Sequence, residues 1–353
     1  MIVTPPITPP RAQTNLPLIS TSTPIIASLL QRGQTPSSER ASRRLAFSNR
    51  MDSLSSVTTA FMPRSIWRSI APRTAAVSER DQTQFGSASL EEFVSICRRV
   101  SQEGSSRQRV VIHGPSVDSL AEQLVEKVKS CLHQGDFTEV MNPEIHFSLR
   151  NDDQTVRSLG DGVGRETFLL AYRLCTEGEA LIRLLRPSQD DTYSISTISQ
   201  MGHSRAREDD LGVLGFFMGH AISIGRAAKP GDPAYLHLLL NNCDIDSLTK
   251  EVVKEWHPQL CASLEGFIQA GPDGDIAPFT PLLVEFLGLM PAHLKGRDEA
   301  AHNYVASQIL YTALIGSEPL NHKDVLSFLK GFRLPCRNGF DLVKVRLFVC
   351  FFA

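Results

Sequence analysis

A mainly α-helical fold with a few short β-strands (α+β), preceded by a tail with no fold of its own, is what this sequence predicts. Three observations carry that expectation. From residue 89 onward, apolar residues recur at helical spacing, as in Phe168, Ala171, Tyr172 and Cys175. β-Branched runs are short, the clearest being Val110-Val111-Ile112-His113, which Gly114-Pro115 ends. Residues 1–80, by contrast, hold nine Pro and 22 Ser or Thr with few aromatics, a composition that cannot offset the entropy of ordering itself.

The elements follow in order. Ser89 and Glu92 form a capping box for a helix to about residue 102, whose apolar stripe is Phe93, Ile96, Cys97 and Val100. A strand at 110–113 comes next, then a helix capped by Ser119 and Glu122 that carries Leu120, Leu124, Val125, Val128 and Leu132 and stops at Gly135. Further helices are expected at about 165–186, 208–226, 233–241, 246–256, 258–270, 298–316 and 321–331, with loops at 187–206 and 270–280. No internal repeat is visible.

At 353 residues and 42% hydrophobic content, the chain can bury a sizeable core in one large or two modest domains. Its net charge of −2 hides an asymmetry. Residues 1–80 hold ten Arg, no Lys and three acids, a net +7, whereas residues 81–353 hold 26 basic and 35 acidic residues, a net −9. The tail also contains a PxxPxR segment, Pro6 to Arg11, of the kind that docks polyproline helix in aromatic grooves, and Thr4, Thr8, Thr23 and Thr35 each precede Pro; ordinary low complexity is the plainer reading. Its Arg- and Ser-rich composition fits a mitochondrial leader, but prolines at 5, 6, 9, 10 and 17 break the amphipathic helix such a leader needs.

Seven scattered cysteines (97, 131, 175, 243, 261, 336 and 350) form no CxxC pair and accompany no secretory signal. This argues for a reduced compartment, cytoplasmic with the nucleus left open, and against structural zinc. No run of 18 apolar residues occurs, so no membrane-spanning helix is expected. Neither a membrane nor nucleic acid is expected as a partner.

Gly160, Gly162 and Gly164 suggest a phosphate-binding loop. The spacing is GxGxG rather than GxGxxG, no Lys-Ser or Lys-Thr follows, and residues 150–158 read as polar rather than as a buried strand. No cofactor and no metal is expected. His220 and His237 sit on apolar helices and read as core histidines, Trp256 and Tyr304 as packing residues, and Cys131 and Cys175 as small hydrophobes. Gly212, Gly215 and Gly219 lie on a nearly all-apolar helix and should let another backbone approach closely.

Taken together, Gly160 to Phe168, Asp210 to Ile222, Pro230 to Leu240, Trp256 to Leu260 before Ser263-Leu264, and Phe328 to Phe332 stand in an order and spacing that resembles the larger, first lobe of HECT-type ubiquitin ligases. The resemblance covers roughly residues 107–345. It implies an elongated helical lobe at 89–345, after a disordered Pro/Ser/Thr/Arg-rich tail at 1–88 and before an apolar, truncated-looking end at 346–353. In that family the glycine cluster is a positive-φ turn, followed by an Arg-Glu pair and a core Phe that anchor the first long helix. Carried over, Gly160, Gly162, Gly164, Arg165, Glu166 and Phe168 are structural residues, with Gly215 and Gly219 at the helix contact.

Such ligases work by covalent relay through a cysteine in a second, smaller lobe, typically after a threonine. Only 13 residues follow Phe340, so that lobe is expected to be missing here. The implied partners are a ubiquitin-conjugating enzyme, gripped through about 268–300, then ubiquitin and an unknown protein substrate. Residues 269–297 give a rather short version of the gripping subdomain. A second register reads Phe332 to Phe340 as the segment before the nucleophile, which makes Cys350 the fallback catalytic candidate although Val349 replaces the threonine.

The expected function is therefore a HECT-type ubiquitin-protein transferase lobe that docks a conjugating enzyme without forming the thioester itself. The alternative is a catalytically inactive interaction module. A small-molecule hydrolase is a third class, but no GxSxG elbow supports it.

Overall fold

The computed structural model describes residues 85–87, 89–103, 110–142, 145–150, 156–188, 191–198 and 202–347. Apart from 85–87, the expected tail lies outside these residues, as do 348–353 with Cys350. Strand β1 (Phe85–Ser87) pairs in parallel with the last strand, β7 (Val345–Leu347), and this pairing crosses both expected boundaries, at 88/89 and at 345/346.

Helix α1 (Leu90–Gln102) begins where Ser89 Oγ accepts the Glu92 N–H at 3.1 Å, and it buries Phe93, Ile96 and Cys97. Next, β2 (Val110–Gly114) leads through α2 (Val117–Gln134) to β3 (Ile145–Arg150), which lies parallel to β2. Parallel neighbours need a crossover, and α2 supplies it. The cap of α2 is Ser116 rather than the expected Ser119. Ser116 Oγ accepts the Ser119 N–H at 3.2 Å, which makes Ser119 the capped donor in the first turn. Gly135, at φ 68°, ends α2 as expected.

Strand β4 (Val156–Leu159) runs antiparallel on β3 at the edge of the sheet. The polar stretch at 150–158 therefore does contain a strand. An edge strand has one paired side only and tolerates the polar residues a central strand excludes.

Helix α3 (Asp161–Thr176) starts earlier than expected. Gly160 is its cap at φ 141°, while Gly162 and Gly164 lie inside the first turn, where Gly164 N–H donates to the Gly160 carbonyl at 3.2 Å. Of the three glycines, only Gly160 uses a positive φ. The expected unbroken helix at 165–186 stops at Glu177, because Gly178 turns left-handed at φ 60° before α4 (Gly178–Leu184). A short hairpin of β5 (Leu185–Pro187) and β6 (Tyr193–Ile195) takes part of the expected 187–206 loop.

The remaining helices are α5 (Arg205–Ser223), α6 (Pro233–Leu240), α7 (Lys250–Trp256), α8 (Pro258–Ala270), α9 (Thr280–Leu287), α10 (Glu299–Leu314) and α11 (Lys323–Phe332). Proline at the first position and a preceding Asp232 cap start α6. Helix α9 lies outside the helices expected from the sequence, and its eight residues are stopped by Gly288 at φ 64°. No helix among the described residues is long and apolar enough to cross a membrane.

Helix α5 is buried on nearly every side, with Leu211, Leu214, Phe216, Phe217 and Met218 all at most 2% exposed. Phe216 stacks on Phe137 at 5.1 Å between ring centres. The glycines of α5 act as the sequence suggested. A Cβ on Gly215 would lie 2.1 Å from the Phe328 carbonyl oxygen, and one on Gly219 would lie 2.4 Å from that of Phe332. Helix α11 thus crosses α5 at backbone contact.

Candidate functional site

Four of the residues carried over from the resemblance, Gly160, Gly164, Arg165 and Phe168, line a single cleft of about 670 Å³, together with Tyr172 and His220. Strand β3 forms one wall, one face of α3 another, and the C-terminal end of α5 with the loop to Pro230 closes the back. Phe147 and Phe217, at 3% and 2% exposure, form its floor. Gly215 and Gly219 are not at the cleft but at the α5–α11 crossing behind it.

Phe168 does not lie in the core, contrary to what its place in the resembled family implies. It is half-buried, and the fully buried residue of that turn is its neighbour Thr167. The Phe168 ring meets Phe147 edge-on at 5.7 Å and stacks on His220 at 5.0 Å, so the apolar face of α3 borders an open cleft. Arg165 and Glu166 are exposed and do not pack as an anchoring pair.

The rim of the cleft is basic. Among the described residues, Arg165, Arg173, Arg226 and Lys229 line it against one acid, Glu177, which pairs with Arg173 at 3.6 Å. His220 stays neutral there: burial, then the nearby Arg226, pushes its pKa down to about 4. Its expected place on an apolar helix holds, but as a half-buried wall stacked between Phe168 and Phe216. Tyr172 OH donates to the Lys229 carbonyl at 2.6 Å and ties α3 to the closing loop.

A second polar group is fully enclosed. Arg207 donates through Nε to Asp324 Oδ1 at 3.1 Å and through Nη2 to Oδ2 at 3.3 Å, and Asp324 Oδ2 also accepts the Ile198 N–H at 2.9 Å. Arg207 Nη1 donates to the Arg183 carbonyl at 2.7 Å. With His203 and His322, Asp324 offers three donor atoms within 4.8 Å of one another, a spacing a metal ion can use. A guanidinium already neutralises that carboxylate, however, so the cluster acts as a structural ion pair. Because 117 residues separate Arg207 from Asp324, no local pattern could have revealed it.

Asp232 and His257 make a similar buried pair, with Nε2 to Oδ1 at 3.1 Å. Burial drives the Asp232 pKa up, but the bonds from His257, Ser188 and the Tyr235 amide outweigh it and lower the value. These bonds fix the start of α6 rather than a reactive serine.

The region expected to grip a conjugating enzyme is a helical excursion between α8 and α10, with a short 3-10 turn at Ala277–Phe279, then α9, then another at Pro291–Leu294. Arg297 clamps its base by donating to the Gly271 and Gly274 carbonyls at 2.7 and 3.1 Å and to His302 Nδ1 at 2.9 Å. His302 therefore carries its proton on Nε2, which faces the Phe267 carbonyl at 2.9 Å. Val284 and Met290 stand 45% and 49% exposed on this excursion.

Of the six described cysteines, all are free; Cys97, Cys131, Cys175, Cys261 and Cys336 are buried and Cys243 is half-buried. Burial pushes the Cys97, Cys175 and Cys336 thiols up to about 12 and those of Cys131 and Cys243 up to about 11. Cys131 and Cys175 thus behave as the small hydrophobes expected. Trp256 and Tyr304 are half-buried rather than enclosed, and His237 is half-buried with Nε2 at 3.2 Å from the Ser247 carbonyl. Neither a protein-family model nor a curated protein sequence matches the chain.

Proposed function

We propose that the chain is a HECT-type first lobe that docks a ubiquitin-conjugating enzyme and does not itself carry ubiquitin as a thioester. The observation that carries the reading is the excursion at 276–297. It is a separately clamped helical module that turns Val284 and Met290 outward, which is how a protein anchors a partner's apolar contact. The order of the quoted segments supports the same reading, as does the glycine-mediated crossing of α5 and α11.

The cysteines favour docking over relay. A relay nucleophile must be an accessible thiolate, usually near positive charge, and each described thiol is buried or half-buried with a raised pKa. Incubation with activating enzyme, charged conjugating enzymes and ubiquitin tests this half of the proposal on a non-reducing gel. The expected result is no DTT-sensitive band shifted by one ubiquitin. Such a band, abolished by Cys350→Ala, would make the chain a compact ligase instead.

A further inference from the structure

We infer that the cleft between β3, α3 and α5 is a binding site for a single-chain amphiphilic anion of the fatty-acid class. The inference is separate from the docking reading, which rests on the excursion at 276–297.

Its volume of about 670 Å³ falls in the range of small-molecule sites, which are mostly apolar and carry a few convergent polar groups. Phe147 and Phe217 make an apolar floor, and Phe168, Tyr172 and Leu181 continue it outward. At the mouth, Leu169 and Ile224 remain 48% and 43% exposed, as the walls of an unfilled apolar groove would.

The charge at the mouth selects the head group. Among the described residues the side chains of Arg165, Arg226 and Lys229 make no ion pair, and the single acid, Glu177, is already matched with Arg173. An aliphatic chain on the phenyl floor with a carboxylate at this rim satisfies both halves. A neutral chain leaves the cations unanswered, and a cationic one is repelled. Planar guanidinium groups also suit a carboxylate, which they bind through two parallel hydrogen bonds.

The test is calorimetric titration of the full chain with sodium dodecanoate below its micellar concentration, beside 1-dodecanol and dodecyltrimethylammonium. Dodecanoate should saturate at one per chain and bind at least tenfold more tightly than either analogue. Arg165→Glu and Leu169→Glu, both at exposed positions, should each weaken dodecanoate at least tenfold with an unchanged melting temperature, and Arg165→Lys, which keeps the charge but not the planar fork, should weaken it less than Arg165→Glu does. Equal affinity for the cationic and anionic chains would overturn the assignment. So would binding that ignores both substitutions, or no binding at all.

Discussion

Gly331 on α11 lies so close to Gly212 on α5 that a Cβ built on it would sit 1.8 Å from the Gly212 carbonyl oxygen. The blocking atom belongs to a backbone, so no side-chain rotation relieves the clash. Replacing Gly331 by Ala must push the two helices apart. Overpacking of a filled core costs about 1–3 kcal/mol, occasionally more. Gly331→Ala and Gly215→Ala should each fall at or above that range in urea unfolding, while Gly162→Ala, whose Cβ meets nothing within 4 Å, should be close to neutral. A neutral Gly331→Ala would show that α5 and α11 do not cross here.

Phe168 and Phe216 make a graded pair. Phe216 is fully buried, and its truncation should cost about 3–5 kcal/mol. Phe168 is half-buried, so Phe168→Ala gives up part of that area and two ring contacts, and about 1–2 kcal/mol is expected. Equal losses in chemical denaturation would return Phe168 to the core.

Removing Asp324 should be among the most damaging single changes. Asp324→Ala leaves the Arg207 guanidinium buried without its counter-charge and the Ile198 N–H without its acceptor. Breaking one side of a buried ion pair typically costs about 3–5 kcal/mol. The double variant Arg207→Met/Asp324→Leu should recover much of the loss. Thermal unfolding of the three proteins decides, and a double variant no better than Asp324→Ala would contradict this account.

Acid should act through His220. Its pKa is lowered to about 4 in the fold, against the ordinary 6.5, so the unfolded chain takes up a proton first as pH falls. The stability it contributes is complete above about pH 6.5 and is lost between there and about pH 4, to a limit of about 3 kcal/mol. His237 and His302 are lowered as well and act in the same direction. Stability measured from pH 8 to 4 should therefore fall less steeply in His220→Phe than in the unaltered chain. Identical slopes would mean that His220 is solvated.

Helices were legible where apolar spacing and punctuation agreed. Ser89, Gly135 and Pro258 mark ends that the structure keeps, and the glycines of α5 disclosed their own close contact. The reading failed where tertiary position overrides local pattern. Val156–Leu159 follows a run of polar residues yet becomes a strand by pairing at an edge, and α9 hides in a stretch that reads by analogy as a shortened subdomain. Of the candidate site, Gly160, Gly164, Arg165 and Phe168 were named without any sign that they share a cleft. Its other walls come from 145–147 and from 217–230, and no local spacing records that meeting. The Arg207–Asp324 pair was missed for the same reason.

Titration of the full chain with a panel of ubiquitin-conjugating enzymes tests the central proposal most directly, with isothermal calorimetry as the readout. At least one enzyme should bind with a micromolar dissociation constant. Val284→Glu and Met290→Glu, both at exposed positions of the excursion, should each weaken that binding tenfold or more, about 1.4 kcal/mol, without lowering the melting temperature. No binding by any member of the panel, or binding indifferent to both substitutions, would contradict the assignment of this chain as a conjugating-enzyme dock.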